Sequence, residues 1–442
     1  MLLRLLAVGC CLSLNATMSA HAETITIATV NNGDMVLMQE LSNEFTSQNP
    51  DIKLDWVILE ENILRQRVTT DIAAKGGQYD VMTIGTYEVP IWAKQGWILK
   101  LDELGEDYDV DDILPPIRGG LSLDGSLYAA PFYGESSMVM YRKDLMEKAE
   151  LEMPRAPTWE FIAQAAKAMT DKDNGVYGIC LRGKAGWGEN VALLTAMSNS
   201  FGARWFDQDW TPQLDSAAWK ATMDYYLNVM NNYGPPGASS NGFNENLALF
   251  QTGKCGMWID ATVAGAFVTN AEESTVASDV GFALAPDNGL GKRGNWLWAW
   301  SLAIPAGTEK AEAAQKFVSW ATSKEYQKLV ASKKGWQSVP PGTRTSLYAN
   351  QKYLDAAPFA QITLDSINSA DPNNPSVDPV PYVGVQFVAI PEFQSIGTAV
   401  GQQLSAALAG KLTAEQALKS SQRLVERSMA KAGYNKKKSN DK

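Results

Sequence analysis

Apolar positions after residue 22 follow two alternating periods. Ile25 and Ile27 alternate with polar neighbours across 24–30, the pattern of a strand with one buried face. From Val36 onward, Leu37, Leu41 and Phe45 stand four apart, as one helix face requires. The exchange repeats: 52–59 reads as a second strand, 63–74 as a helix with Leu64, Val68 and Ile72 in line, and 79–85 as a third strand. Strand, helix, strand in series predicts a parallel sheet with right-handed crossovers. Ligands of open sheets of this kind sit beyond the carboxyl ends of the strands. Here those ends lead into Asn31-Asn32-Gly33-Asp34, Glu60-Glu61-Asn62 and Thr86-Tyr87-Glu88, all rich in groups that hydrogen-bond hydroxyls.

Beyond this unit, 127–134 is strand-like with no helix before it, and the alternation then restarts. Thr158 is placed to cap a helix running to Met169, 176–181 reads as a strand, and helices follow at 190–200 and 217–231. A Gly/Pro/Ser/Asn-rich loop at 234–242 precedes a strand at 254–259 that ends on Asp260. After a strand at 296–304 come helices at 309–321 and 324–331 and the Pro-rich 339–342. The last third closes with Pro391 at a helix start, Gly410 as its stop, and a final helix opened by the capping box of Thr413 and Gln416. Two strand–helix blocks in series, and a length of 442 residues that exceeds what one core usually supports, predict an α/β protein of two similar lobes.

Composition narrows the chemistry. Residues 1–22 have the form of an export signal: Arg4, an apolar stretch over 5–14, and Ala20-His21-Ala22 as a small-residue cleavage site. A lipoprotein reading ending at Cys10 leaves too short a leader for the usual apolar core. His21 is the only histidine, so the chain after the leader has none. That excludes His-dependent triads, His-ligated zinc and His-based phosphoryl carriers, and favours a binder over a catalyst. It also predicts an affinity nearly flat between about pH 6 and 8, since no imidazole titrates there. No later segment is apolar enough to span a membrane, and a formal net charge of −11 opposes nucleic acid phosphates and anionic lipid. The basic run Lys436-Lys437-Lys438 lies in a polar tail, 435–442, expected to be disordered.

Three stretches carry candidate binding groups. In Gly294 to Ser301, a strand places Trp296, Trp298 and Trp300 on one face; indole faces suit carbohydrate C–H groups, and core packing is the plain alternative. The glycine-rich loop from Arg182 to Asn190 brings Arg182, Trp187 and Glu189 close to backbone that a ligand can approach; it is not a phosphate loop, because its Lys184 precedes the glycines. In 255–262, Trp258 and Asp260 share one side of a strand, with Asp260 either a polyol anchor or the cap of the next helix. Cys180 and Cys255 are expected to be buried free thiols, with a disulfide as the alternative. The calcium-like start at Asp171, Asp173 and Asn174 lacks the closing ligand spacing and reads as a solvated turn.

Taken together these residues resemble the solute-binding proteins of ABC sugar importers, of the maltose-binding type. The stretches WVILEEN at 56–62, DVMTIGTYEVP at 80–90, APFYGESS at 130–137, GICLRGKAGWGEN at 178–190 and YVGVQF at 382–387 are similar to the sorbitol/mannitol-binding branch. The resemblance implies a two-lobe periplasmic binding protein fold, with residues 23–131 and 300–338 in lobe 1 and 132–299 and 339–442 in lobe 2. It implies crossings near 130–134, 298–301 and 337–341, and a cleft lined by Asn31, Glu61, Thr86, Tyr87, Tyr133, Arg182, Trp187, Glu189, Trp258, Asp260, Trp296, Trp298 and Phe387. The expected ligand is a linear polyol such as sorbitol, mannitol or arabitol, enclosed by hinge closure and delivered to permease subunits. The expected protein is a periplasmic monomer with no cofactor, no metal and no catalytic residues. The rival is an exported glycoside hydrolase using two carboxylates. Against it, Glu60-Glu61 and Asp111-Asp112 are adjacent pairs, and neighbours on a strand face opposite sides.

Overall fold

A computed structural model describes residues 22–102 and 104–434. The expected leader, apart from Ala22, and the expected disordered tail lie outside the described residues.

Two sheets organise the chain. The first has the order β2-β1-β3-β11-β6, built from β1 (Glu23–Val30), β2 (Ile52–Leu59), β3 (Val81–Ile84), β6 (Ala130–Glu135) and β11 (Trp298–Ala303). β1 pairs in parallel with both β2 and β3, as a βαβαβ unit requires, and β11 runs antiparallel to β3 and β6. The second sheet has the order β10-β7-β9-β8, from β7 (Ser137–Arg142), β8 (Tyr177–Cys180), β9 (Cys255–Ala261) and β10 (Val280–Leu284). A small hairpin, β4 (Ser122–Leu123) and β5 (Ser126–Leu127), stands apart from both. Central strands such as β3 and β9 are buried along their whole length, which is why they read as near-continuous apolar runs.

Helices cover these sheets with the caps their sequences offer. Thr158 accepts from the Phe161 amide at the start of helix Trp159–Met169. Thr413 and Gln416 form the reciprocal capping box of helix Ala414–Ala432, which packs on helix Phe393–Leu408 and buries Leu418, Val425 and Met429. The single helix expected from Leu37, Leu41 and Phe45 is two, Gly33–Leu41 and Asn43–Gln48, with Ser42 between them.

Only Ser136 separates β6 of the first sheet from β7 of the second, so the chain changes sheets in one step there. A second passage lies against it: the Gly134 amide donates to Pro341 O at 2.9 Å. A Cβ on Gly134 would stand 2.2 Å from Gly342 O, and one on Gly342, whose φ is +72°, would stand 1.9 Å from Gly134 O. Bare backbone is therefore required where the two passages touch. A third begins at Trp298, registered opposite Glu135.

The cysteines correct one expectation. Cys180, the last residue of β8, is disulfide-bonded to Cys255, the first of β9. The sequence separates them by 75 residues and does not reveal that the two strands are sheet neighbours.

Candidate ligand-binding cleft

One wall of the cleft starts where β2 ends. Glu60 caps the helix Glu61–Ala74, its carboxylate accepting from the amides of Asn62 and Ile63. The chain turns helical at Glu61, so strand parity does not apply, and Glu60 and Glu61 both face the cleft. This corrects the expectation that adjacent carboxylates diverge. One helical turn on, Arg65 donates to Glu61 at 2.8 and 3.0 Å and to Glu88 at 3.2 Å. Its guanidinium lies 4.0, 4.6 and 4.8 Å from the ring centroids of Trp187, Trp300 and Trp298. Charge pairing on its edge and cation–π contact on its faces fix this cation among three indoles.

The opposite wall is the glycine loop after β8. Arg182 donates through Nε and Nη2 to Asp260 at 2.9 and 2.6 Å, and through Nη1 to Gly188 O at 2.9 Å. Asp260 also accepts from Trp258 Nε1 at 3.1 Å and from the Ala261 amide at 2.7 Å. These partners occupy a carboxylate that is fully buried within β9, so Asp260 neither touches the cleft nor caps a helix. Its role is to hold Arg182. Trp258, equally buried and packed on Phe243, steadies Asp260 in turn. Burial opposes the Arg182 charge, but Asp260, Glu189 and Glu61 outweigh it and hold the guanidinium protonated.

Between the walls lie two compartments of about 540 and 370 Å³, their mouths included. Both are bounded by Glu61, Glu135, Arg182 and Trp300, so they form one continuous cleft. The outer compartment adds Asn31, Tyr133, Lys184 and Glu189 and is mostly polar and charged. The inner one adds Arg65, Trp187, Trp296, Trp298 and Gln386 and combines indoles with charged groups. Trp187 and Trp298 carry indole N–H groups with no partner among the described residues. Buried donors left unpaired are costly, and acceptor groups on a ligand would satisfy them.

Eight expected residues thus reach the cleft: Asn31, Glu61, Tyr133, Arg182, Trp187, Glu189, Trp296 and Trp298. Five line neither compartment. Trp258 and Asp260 stand behind Arg182. Tyr87 donates its hydroxyl to Ile390 O and packs its ring 4.7 Å from Trp187, while Phe387 packs 6.0 Å from Trp298, so both back the inner indoles. Thr86 is buried against Gly120. Among the residues not foreseen, Arg65 carried a signal in its four-residue spacing from Glu61. Glu135 and Gln386 stood inside the sequence stretches 130–137 and 382–387 but had no local pattern of their own.

The charge balance points away from the pH-flat site that the missing histidines suggest. Burial pushes Asp34 up to about 7 and Glu135 up to about 8, and burial together with Glu61 pushes Glu189 up to about 8, against the pull of Arg182 and Lys184. Carboxyl groups therefore titrate in the window where histidine is missing.

The walls are in contact across the cleft. Lys184 pairs with Glu60 at 2.7 Å, Asn62 donates to Ala185 O at 3.4 Å, and Asn244 donates to Asn31 O at 3.1 Å. A Cβ on Gly186 would stand 2.4 Å from Asn62 Oδ1, and one on Gly188 2.2 Å from Glu61 Oε1. The structure is a closed one.

Two α/β lobes shut on a cleft of charged groups and indoles define a class of protein that captures small hydroxylated solutes. The chain belongs to the bacterial extracellular solute-binding protein family, which matches residues 31–328, and it binds rather than transforms its solute. It is 54% identical over 426 residues to a mannitol-binding protein of Pseudomonas aeruginosa, covering 96% of this chain and 97% of that one. A solved solute-binding protein of Agrobacterium vitis S4 with bound D-mannitol is 72% identical, with a TM-score of 0.93, covering 94% of this chain and all of the other. A maltose-bound protein of T. maritima, 22% identical, shares the fold with a TM-score of 0.78 over 92% of this chain and 100% of that chain.

Proposed function

We propose that the protein is the periplasmic binding component of an ABC importer, enclosing a linear polyol, D-mannitol foremost, and passing it unaltered to permease subunits. The observation that carries this reading is the D-mannitol bound to the Agrobacterium vitis protein, which is 72% identical to this chain. The cleft supports it chemically. A linear hexitol presents hydroxyls along its whole length and no ring, so it calls for acceptors and donors on all sides with indoles to confine its carbon chain. Glu61, Glu189, Asn31, Tyr133 and Arg182 supply the polar groups, and Trp187, Trp296 and Trp298 supply the plates and two free N–H donors. Trp258, Asp260, Tyr87, Phe387 and Thr86 act behind them as supports. The excess of carboxylates selects a neutral solute over an anionic one.

Residues 23–131 and 300–338 form lobe 1 in this reading, and 132–299 and 339–434 form lobe 2, with two changeovers inside β6 and β11 and the third in the loop after Ser338. Closure is a hinge motion about the three passages beside Ser136, and the protein acts as a monomer. A thermal-shift screen over polyols and sugars tests the reading, because a ligand that binds only the folded state raises Tm by mass action. D-mannitol is expected to give one of the largest shifts and maltose none. The reverse order would refute a polyol site.

A further inference from the structure

We propose that Glu135 enters the closed cleft as a neutral carboxylic acid and donates its proton to a ligand hydroxyl, so that polyol capture takes up a proton. The inference rests on the polyol reading above.

Glu135 ends β6 and borders both compartments, the one carboxyl group at their junction that has no cation of its own. It is 6% exposed. Among the described residues no side chain donates to it. The groups facing it are Asp34 from helix Gly33–Leu41, Glu61 and Arg65 from helix Glu61–Ala74, Arg182 and Glu189 from the glycine loop, Asp260 from β9, and Tyr133 on its own strand. Both guanidinium groups are already committed, Arg65 to Glu61 and Glu88, Arg182 to Asp260 and Gly188 O. An ionised Glu135 would add a charge beside these four carboxylates that the pull of Arg182 offsets only in part, and a polyol brings only dipoles to offset the rest. As an acid the same group offers one donor and one acceptor, which suits a hydroxyl.

The sign follows from linkage. Opening the lobes would return the carboxyl group to water and toward its ordinary value of 4.5, whereas burial in the closed cleft raises it to about 8. Between those two values the closed form holds more protons, so affinity falls as pH rises through the window and levels off above it.

Titration calorimetry with D-mannitol at about pH 7, in two buffers of different ionisation heat, counts the protons exchanged. Uptake of about one proton or more is expected for the wild type, because Glu189 and Asp34 are raised as well, with affinity falling about tenfold or more from pH 6 to 8. In Glu135→Gln, whose amide is a permanent neutral donor, the uptake is expected to drop by about one proton and the pH slope to flatten. Glu189→Gln, tested in parallel, is expected to retain about one proton of uptake, the share that resides on Glu135. Mannitol binding without proton uptake, or uptake unchanged in Glu135→Gln, overturns this inference and leaves the polyol reading intact. Absence of binding heat with any polyol overturns that reading and this inference with it. Circular dichroism of Glu135→Gln verifies that the variant is folded.

Discussion

Arg182 is the residue on which the polar half of the cleft turns, and its position is set by Asp260. Removing the carboxylate in Asp260→Ala leaves a buried guanidinium without its main partner, which costs about 3–5 kcal/mol of stability. A large drop in Tm is expected, together with weaker mannitol binding; an unchanged Tm would contradict the buried pair. Trp258→Phe is milder, since it removes only one neutral donor from Asp260, and its effect on affinity should stay within a few-fold. Trp298→Phe is the contrast. It deletes a buried indole N–H that has no partner among the described residues, on a side chain that lines the cleft, so mannitol affinity should fall by about tenfold, as for a hydrogen bond left unmade to a buried hydroxyl. Equal losses for the two tryptophans in calorimetric titration would undo this division into support and contact. The sequence placed Trp258 and Asp260 correctly on one side of a strand, but parity along a strand tells side and not depth. Nothing in 255–262 reveals that helix Phe243–Gln251 covers that side.

The glycine loop is the element on which closure depends. At Gly188 even a methyl group would meet Glu61 of the other wall, a clash that exists only when the lobes are shut. Gly188→Ala should therefore lower mannitol affinity by about tenfold or more while leaving the Tm of the ligand-free protein nearly unchanged, because overpacking costs about 1–3 kcal/mol and only in the closed form. A ligand-free Tm lowered as much as the affinity would place the clash in the open form as well. Most elements of this kind were legible from the chain. Helix Asn190–Ser200 falls where its pattern predicts, and Thr158, Thr413 and Gln416 cap the helices they were expected to cap. Legibility failed where the local period was ambiguous. Ser42 interrupts a helix without disturbing the spacing of Leu37, Leu41 and Phe45, and the change from strand to helix at Glu61 reversed which way Glu60 and Glu61 point.

At the scale of the whole molecule, the alternation of strands and helices announced two lobes, but not how the chain threads them. β11 returns from far downstream to lie between β3 and β6, a long-range pairing that no local pattern encodes. That insertion sets Trp298 opposite Glu135 and so assembles the inner compartment from distant segments. Contacts such as Lys184 with Glu60 then close the outer rim. Because both side chains are partly exposed, Lys184→Ala should weaken mannitol binding by only a few-fold, and less at high salt. A loss as large as that expected for Gly188→Ala would contradict a rim role. The central claim is that two lobes shut on a neutral linear polyol through charged groups and indoles. Titration calorimetry of the purified protein with D-mannitol tests it most directly. Saturable binding of one mannitol per chain, with no heat from maltose, is the predicted result; no mannitol binding, or consumption of the sugar during the titration, would contradict it.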